Sequence, residues 1–498
     1  MDEKYDIIVV GSGLGGLECG VILSKEGYKI CVVEQSAIFG GCLQSFKRAG
    51  RVIDTGIHYV GSMQDGGIMR QYLKYFGVFD RLKVQQLDND FDHITLGDEG
   101  YYCYRQGYNN FIEELASKFP SQREGLQRYC DVVRSIGDSI SVDVHRSGVF
   151  STKKIDYLSI SAVEFIRECV SDPILQNILA GTNVLCGSTS DTANIYHHAM
   201  INHSNIEGAY RFVGGSQQLA DSLAEQIRGN GGTLLNRAMV VRFEVDDDSV
   251  KYIELSDGRR LFAKNYISNL HPMTTFNMVG QTPCIKKAYR TRLSLLPNTY
   301  GLFSVYLCMK RDSFKYLNKN LYFHGSADVW DMKITLADMH PKSVLLSTQQ
   351  PSLGSKYSDV VTLMSPVADE LFLPFRDTQF GARPQEYEEL KEVITQKIIE
   401  FTQRYYPSIM ESVESVFAAS PLTYEHYTST PNGSAYGIVK NYNSALTTLF
   451  PSRTKIENLF LTGQNLNVHG ALGVTLTAAA TCSEFVGVEY LAKKIGGV

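Results

Sequence analysis

Several common signatures are missing from this chain of 498 residues. It has ten cysteines but no CxxC pair and no zinc-type cysteine–histidine spacing, so neither a structural zinc nor a paired redox thiol is encoded. No run of eighteen apolar residues occurs, which removes any expectation of a spanning helix. Excess positive charge is also absent: the net charge is −5 and the pI about 6.2, an argument against nucleic acid as a partner. There is no internal repeat and no low-complexity tract. The chain opens Met-Asp-Glu and enters its first expected strand by Tyr5. No signal peptide is therefore expected, and the cysteines read as reduced thiols of a cytoplasmic protein. His197, His198 and His203 have no carboxylate spaced with them, which favours a surface or pocket role over metal binding. What remains is ordinary globular composition, 44% hydrophobic and 20% charged.

The head of the chain carries a specific pattern. Gly11, Gly13 and Gly16 close the apolar run Ile7–Val10, and a helix is expected from Leu14 to Glu26, stopped by Gly27. A second apolar run over residues 29–33 ends at Glu34, twenty-one residues after Gly13. This is the strand–turn–helix–strand start of a dinucleotide-binding unit. Gly11 permits the tight turn, Gly13 lets a pyrophosphate approach bare backbone, and Gly16 lets the helix pack against the strands. Ser12, Leu14 and Gly15 fill the turn, whose helix N-terminus offers N–H groups and a positive dipole end to phosphates. Glu34, followed by Gln35, is placed to accept from ribose hydroxyls and to repel a 2′-phosphate. On this motif alone NAD and FAD are not distinguished.

The following stretch separates them. Gly40-Gly41-Cys42, Ser45 and then Asp54-Thr-Gly-Ile-His58-Tyr59-Val-Gly61 come soon after the ribose-binding acid. This pattern resembles the flavoprotein superfamily of amine oxidases, phytoene desaturases and carotenoid isomerases. Cys42, where many members have Arg, and the Asp54–Gly61 run are most similar to the branch of all-trans-retinol saturases (13,14-reductases) and their bacterial relatives. The resemblance implies non-covalent FAD, with Gly40-Gly41 passing near its ribityl-phosphate region and His58 and Tyr59 near the flavin. A structural hydrogen bond for His58 is weighed equally with acid–base work. Cys42 is the one cysteine expected near the cofactor, as packing rather than as a reactive thiol.

Two more segments fit the same family. Leu459–Leu461 reads as a short strand ending at Gly463, followed by Gln464, Asn465 and a small-residue helix starting near Gly470–Gly473. The resemblance makes this the closing FAD segment. Asn465 stands where many relatives have Asp, and the helix start at Leu472, Gly473 and Val474 is aimed at the flavin N1–C2=O edge. In the middle, Phe212–Ser216 precedes a helix to about Arg228, then strands over 239–245, 251–255 and 261–269. Relatives use the strand near Val240 for adenine, and the Ser268-Asn269 turn lies near the dinucleotide.

The implied fold class is α/β. A Rossmann-like FAD-binding domain is built from discontinuous segments (1–85, 206–284 and 446–498), and an α+β substrate-binding domain comprises 86–205 and 285–445. The first insertion reads as mostly helical, over 111–118, 122–139 and 162–169. The second mixes strands at 302–309 and 344–347 with a helix over 386–406 whose apolar face is Val393, Ile394, Ile398, Phe401 and Tyr405. Of the 29 tyrosines, those at 101, 102, 104, 424, 427 and 436 cluster, and sheet-lining roles are the simpler expectation. By resemblance, residues 420–437 run beside the substrate pocket, with Tyr436 a pocket wall.

The family implies flavin redox on a carbon–carbon double bond of an extended apolar, isoprenoid-like small molecule, with saturation or isomerisation favoured over desaturation. His58 and Tyr436 are the candidate catalytic residues, and no proton donor is evident. Peripheral contact at the inner membrane face stays open, because a polyene travels poorly through water. Neither the electron donor nor the oligomeric state has a signature, and no second GxGxxG with a strand context marks a separate NAD(P)H site. Two alternatives are retained: an amine-oxidase-type or porphyrinogen-oxidase-type flavoenzyme, and a flavin-free prenyl carrier of the Rab-escort type.

Overall fold

The computed structural model describes residues 4–146 and 152–497. The opening Met-Asp-Glu lies outside the described residues. Strand Lys4–Val10 is continuously apolar over Ile7–Val10, where both of its faces are covered. Ile7 and Val9 join one core cluster, with Leu17 and Val21 of helix Leu14–Lys25, while Ile8 and Val10 join another with Tyr266, Leu459 and Leu461. The strand pairs in parallel with Ile30–Val33 on one side and Arg260–Ser268 on the other. Thr233–Leu235 extends the first edge.

Arg260–Ser268 makes a junction in this seven-stranded sheet. Its start pairs antiparallel with Ser249–Leu255, which forms a hairpin with Val240–Asp246. Its end, residues 266–268, pairs in parallel with Leu459–Leu461. Segments separated by more than 400 residues thus meet in one sheet. The penultimate helix Gly470–Val486, which precedes helix Val488–Gly496, packs against Leu14–Lys25, and Thr475 Oγ1 donates to the buried Glu18 Oε1 at 2.6 Å. Burial pushes that carboxyl well above the usual carboxylate range, against the Thr475 hydrogen bond that lowers it.

A second seven-stranded sheet runs in the order Val413–Ala419, Gly301–Met309, Val360–Val367, Ser343–Gln349, Asn320–His324, Asp90–Leu96 and Tyr101–Arg105. One face packs on helix Gln385–Tyr405 through Phe303, Val305, Ile394 and Ile398. Val393, expected on that buried face, is 45% exposed. The buried stripe runs Tyr387, Ile394, Ile398, Phe401, and Val393 lies one residue, about 100°, off it. The first insertion is helical as expected, over Tyr108–Lys118, Arg123–Arg146, Ala162–Cys169 and Ile195–Gly208. It also donates the strand pair Asp90–Leu96 and Tyr101–Arg105, which the sequence reading lacked. Tyr101, Tyr102 and Tyr104 are strand residues there, and the Tyr104 hydroxyl bonds Ile178 O.

The surface or pocket role expected of His197 and His198 is corrected, since both are buried on helix Ile195–Gly208 and neither lines the groove or the cavity described below. Tyr129 shares a 2.7 Å hydrogen bond with His198 Nε2, and Tyr108 a 2.8 Å bond with His203 Nδ1. Helix Arg123–Arg146 and its neighbour Tyr108–Lys118 thus each present a tyrosine to one ring nitrogen of an imidazole, while His198 Nδ1 has no partner. Among the described residues, no helix is long and apolar enough to cross a membrane.

Candidate functional site: a glycine-walled groove opening into an uncharged cavity

A groove of about 190 Å³ runs along the carboxyl end of the first sheet, where open parallel sheets bind ligands. Gly11, Gly13, Leu14, Gly15, Glu34, Gln35, Gly41, Cys42, Val240, Asn269, Gly463, Gln464, Asn465 and Val474, all singled out in the sequence, line it. Backbone forms much of its wall. A Cβ on Gly41 would stand 3.0 Å from Gly13 Cα, and one on Gly15 3.1 Å from Val474 Cγ1 and 3.4 Å from Gly463 Cα. The Asn269 side chain lies against Gly13, Gly15 and Gly463, within 2.5–3.0 Å of where their Cβ atoms would be. Only residues without side chains let three loops converge this closely, and that convergence leaves peptide groups facing the groove. A dinucleotide's phosphates need such a cradle, so the residues present fit the group.

Glu34 sits at the end of strand Ile30–Val33 with its carboxylate already oriented. Oε2 accepts from Ser12 N at 2.9 Å and Ser12 Oγ at 2.6 Å, and Oε1 accepts from Ser36 N at 2.8 Å. Four expected residues do not line the groove or the cavity beyond it. Ser12 is fully buried behind Glu34. Gly16 serves packing, since a Cβ there would stand 2.0 Å from Gly11 O. Ser45 donates to Asp54 Oδ1 at 2.6 Å, an atom that also takes Ser216 N at 2.9 Å, which ties the Ser45–Arg48 strand to the Phe212–Ser216 turn. Ser268 is buried with its hydroxyl 2.7 Å from Thr275 Oγ1.

Past Leu14, Cys42, Gln464 and Val474 the groove joins a cavity of about 270 Å³. Gly40, His58, Tyr59, Tyr436, Gly470 and Gly473 line this second space. Among the described residues that line it, none is Asp, Glu, Lys or Arg. Helix Gly470–Val486 begins in its wall, and no side chain caps that N-terminus. Its first N–H groups are left to whatever occupies the junction. Asn465 Oδ1 accepts from Ile438 N at 3.1 Å, fastening the 433–438 segment beside Tyr436. Lys440 is buried below, with Nζ donating to Thr448 O and Asn465 O, both at 2.5 Å.

The cavity's ionisable groups are held neutral. Burial, helped by the Arg211 charge, lowers His58 to about 4, and its Nε2 has no hydrogen-bond partner. His469, the N-cap of helix Gly470–Val486, is lowered to about 4 by burial despite a 2.9 Å bond between Nε2 and Leu185 O. Its ring lies 4.4 Å from that of Tyr436, and burial raises the Tyr436 phenol. Cys42 has its exposed surface in the groove and cavity, and desolvation raises its thiol, which agrees with packing rather than reactivity.

Behind the cavity wall lies a polar network that the sequence reading missed. Asp92 is fully buried on strand Asp90–Leu96. Its Oδ1 accepts from Asn320 Nδ2 at 2.8 Å, and Oδ2 lies 3.0 Å from Tyr59 Oη, itself 2.7 Å from Tyr322 Oη. Arg211, also buried, donates to Asn320 Oδ1 at 2.7 Å and to His58 O at 3.2 Å. Desolvation raises Asp92 to about 7 against the hydrogen bonds and the Arg211 charge that lower it. The available signal was Asp92 sharing a strand face with Ile94 and Leu96, a carboxyl at a core position.

Residues 9–76 match the family described as an NAD(P)-binding Rossmann-like domain. Curated relatives include an all-trans-retinol 13,14-reductase from Danio rerio, 27% identical over 97% of this chain and 86% of the relative. Another is a chloroplastic prolycopene isomerase from an Oncidium hybrid cultivar, 25% identical over 93% of this chain and 80% of the relative. The resemblance drawn from Gly40-Gly41, Cys42 and residues 54–61 is borne out by these likenesses. Among solved structures, an oxidoreductase from Methanosarcina mazei superposes with a TM-score of 0.63 at 18% identity, covering 96% of this chain and 99% of that one. A putrescine oxidase solved with putrescine gives 0.61 at 14%, covering 97% and 99%. A Rab GDI from Plasmodium falciparum gives 0.51 at 11%, covering 98% and 99%. These three show the fold alone. It is the Rossmann-like α/β architecture shared by an oxidoreductase, a putrescine oxidase and a Rab GDI, so the fold alone does not choose a function. The sequence relatives are a reductase and an isomerase, and the chain is their homologue.

Proposed function

We propose that the chain is an FAD-dependent oxidoreductase acting on carbon–carbon double bonds of an extended apolar polyene, with saturation or isomerisation favoured over desaturation. The observation that carries this reading is the junction: a glycine-walled groove opens directly into a cavity whose lining, among the described residues, holds no Asp, Glu, Lys or Arg. An amine substrate would bring an ammonium into that space with no carboxylate to meet it, at high desolvation cost. The amine-oxidase alternative is therefore disfavoured. A cavity of this size is at the lower edge of the roughly 300–1,000 Å³ of small-molecule sites, suited to a single slender chain.

In this reading Glu34 takes the ribose hydroxyls, Val240 borders the adenine, Gly11–Gly15 and Asn269 border the pyrophosphate, and Gly41, Gln464 and Asn465 follow the ribityl chain. Cys42, Val474 and the uncapped helix start at Gly470–Gly473 would flank the flavin ring. FAD, when bound, supplies hydride exchange with a substrate carbon. The chain's own part is to fix which bond lies over the ring and to keep water out. The domain division at 85, 205, 284 and 445 belongs to this proposal. So does a cytoplasmic location with peripheral membrane contact, supported by the exposed Ile38, Met239, Phe380 and Tyr427 around a neighbouring groove. The test is direct. Purified protein is expected to carry stoichiometric FAD, and its anaerobically reduced form to be reoxidised by retinoids or carotenoids but not by amines. Colourless protein that binds prenyl lipid would overturn the reading in favour of a carrier.

A further inference from the structure

Saturating a double bond needs a proton as well as a hydride, and no charged acid lines the cavity. The geometry points to Tyr59 as the group that hands a proton to the substrate, with buried Asp92 as the store that refills it. This inference rests on the proposed flavin chemistry and adds the source of the second hydrogen.

Asp92 Oδ1 is occupied by the Asn320 Nδ2–H, so a proton on Asp92 belongs on Oδ2. Oδ2 is the atom that faces Tyr59 Oη at 3.0 Å. When Asp92 is ionised, Tyr59 donates to it, and the phenol proton is held away from the cavity. When Asp92 is protonated, Oδ2–H donates to Tyr59 Oη instead. Tyr59 must then direct its own proton elsewhere, to Tyr322 Oη at 2.7 Å or to a ligand in the cavity that Tyr59 lines. One proton on Asp92 thus reverses the chain of hydrogen bonds.

The surroundings keep that proton available. Facing Asp92 are Tyr59, Tyr322, Asn320 and, farther out, Arg211 and Tyr104. No carboxylate and no lysine is among them, and Arg211 reaches Asp92 only through Asn320. Burial outweighs the Arg211 charge, so the carboxyl is partly protonated near neutrality, whereas His58 in the same cavity is not. Asn320 in turn fixes which carboxylate oxygen is free, and Arg211 fixes Asn320. Asp92 touches no substrate; it acts through Tyr59 and is a positioning and storage residue.

The balance is as follows. One alkene carbon takes a hydride, with its two electrons, from the reduced flavin, which is left oxidised. The other carbon forms a C–H bond as the Tyr59 O–H bond breaks. The Asp92 Oδ2–H bond breaks to restore the phenol, leaving a carboxylate that regains a proton from water between turnovers. In a single turnover the only reductant needed is dithionite, used beforehand to reduce the flavin.

The experiment uses the FAD-loaded protein, reduced anaerobically and mixed with all-trans-retinol in deuterated buffer. Wild-type protein is expected to place solvent deuterium at the protonated carbon of each saturated bond, with a rate that falls above about pH 7. Tyr59→Phe should keep its flavin and lose at least a hundredfold in rate. Asp92→Asn should lose the dependence on pH near 7. A second readout needs neither flavin nor substrate: infrared difference spectra should show a protonated carboxyl titrating near pH 7, absent in Asp92→Asn and shifted in Tyr59→Phe. Undiminished saturation by Tyr59→Phe, or a carboxyl band untouched by that substitution, overturns the relay. Absence of flavin, or a reduced flavin that no polyene reoxidises, instead overturns the proposed function, and the infrared titration still decides whether Asp92 and Tyr59 are coupled.

Discussion

The groove and the cavity share Leu14, Cys42, Gln464 and Val474 as a seam, yet they are made of different material. Much of the groove's wall is peptide backbone, brought close because glycine has nothing to put in the way. The cavity is walled largely by side chains from the second sheet, both insertions and the start of helix Gly470–Val486, and the charged groups Asp92 and Arg211 lie behind that wall with Asn320. A backbone surface is ruined by adding atoms. A side-chain surface with a buried titratable group is altered by changing charge. The two regions should therefore fail in different ways.

The largest expected failure is at the groove's root. Gly16→Ala puts a Cβ 2.0 Å from Gly11 O, a backbone atom that moves only if the turn moves. The expected cost is about 4 kcal/mol or more, the scale of severe overpacking. Thermal unfolding should drop by many degrees and bound flavin should disappear. A variant with wild-type melting and flavin content would mean the helix does not sit as described.

Asp92 should produce the opposite pattern: a strong dependence of stability on pH with the groove untouched. Its folded pKa of about 7 lies above the roughly 3.9 of an unfolded aspartate. Between those values the folded protein holds a proton that the unfolded chain has released. Stability therefore falls as pH rises from 4 to 7, by about 4 kcal/mol in total, and is flat above. Asp92→Asn removes this contribution, so the stability difference between variant and wild type should grow across that window while flavin content stays equal. Urea unfolding at several pH values measures it, and parallel curves would refute the buried proton.

Glu34→Arg tests the groove's polar end. It removes a carboxylate that takes three hydrogen bonds from Ser12 and Ser36 and that faces the expected ribose. Hydrogen bonds to a charged group contribute about 1.5–3 kcal/mol, so flavin affinity should weaken roughly ten- to hundredfold. Equilibrium dialysis reads the change, and unchanged affinity would show that the ribose contact lies elsewhere.

The same contrast explains what the sequence disclosed. Gly11, Gly13, Gly16 and Glu34 keep fixed spacing because one strand–turn–helix imposes it, and such local geometry is written in consecutive residues. The strand at Leu459–Leu461 and the helix start at Gly470 were legible for the same reason. Pairing of Asp90–Leu96 with Asn320–His324 joins strands more than 220 residues apart, and nothing local announces it. The Tyr59–Asp92 contact depends on that pairing and was hidden with it. Val393 failed at a finer scale: adjacent Val and Ile both suit an apolar stripe, and only the packed helix shows which faces the sheet.

The smallest expected effect is a null in the cavity itself. His58 and His469 are both lowered to about 4, from an ordinary value near 6.5, chiefly by burial. Both imidazoles should stay neutral between pH 8 and 5, and their ring-nitrogen NMR shifts should not move. The native state then binds fewer protons than the unfolded chain once pH falls below about 6.5. Their contribution is fully present above that pH and is lost as pH falls toward 4. On acidification from pH 7 to 5 Asp92 and the two histidines therefore pull stability in opposite directions, and Asp92→Asn removes the Asp92 share, leaving these two together with the other buried imidazoles lowered to about 4, His198, His203, His271 and His324. An imidazolium signal from His58 at pH 6 would mean the cavity tolerates charge. It would then resemble the groove's polar end more than an apolar chamber, and His58 would compete with Tyr59 as the source of the proton.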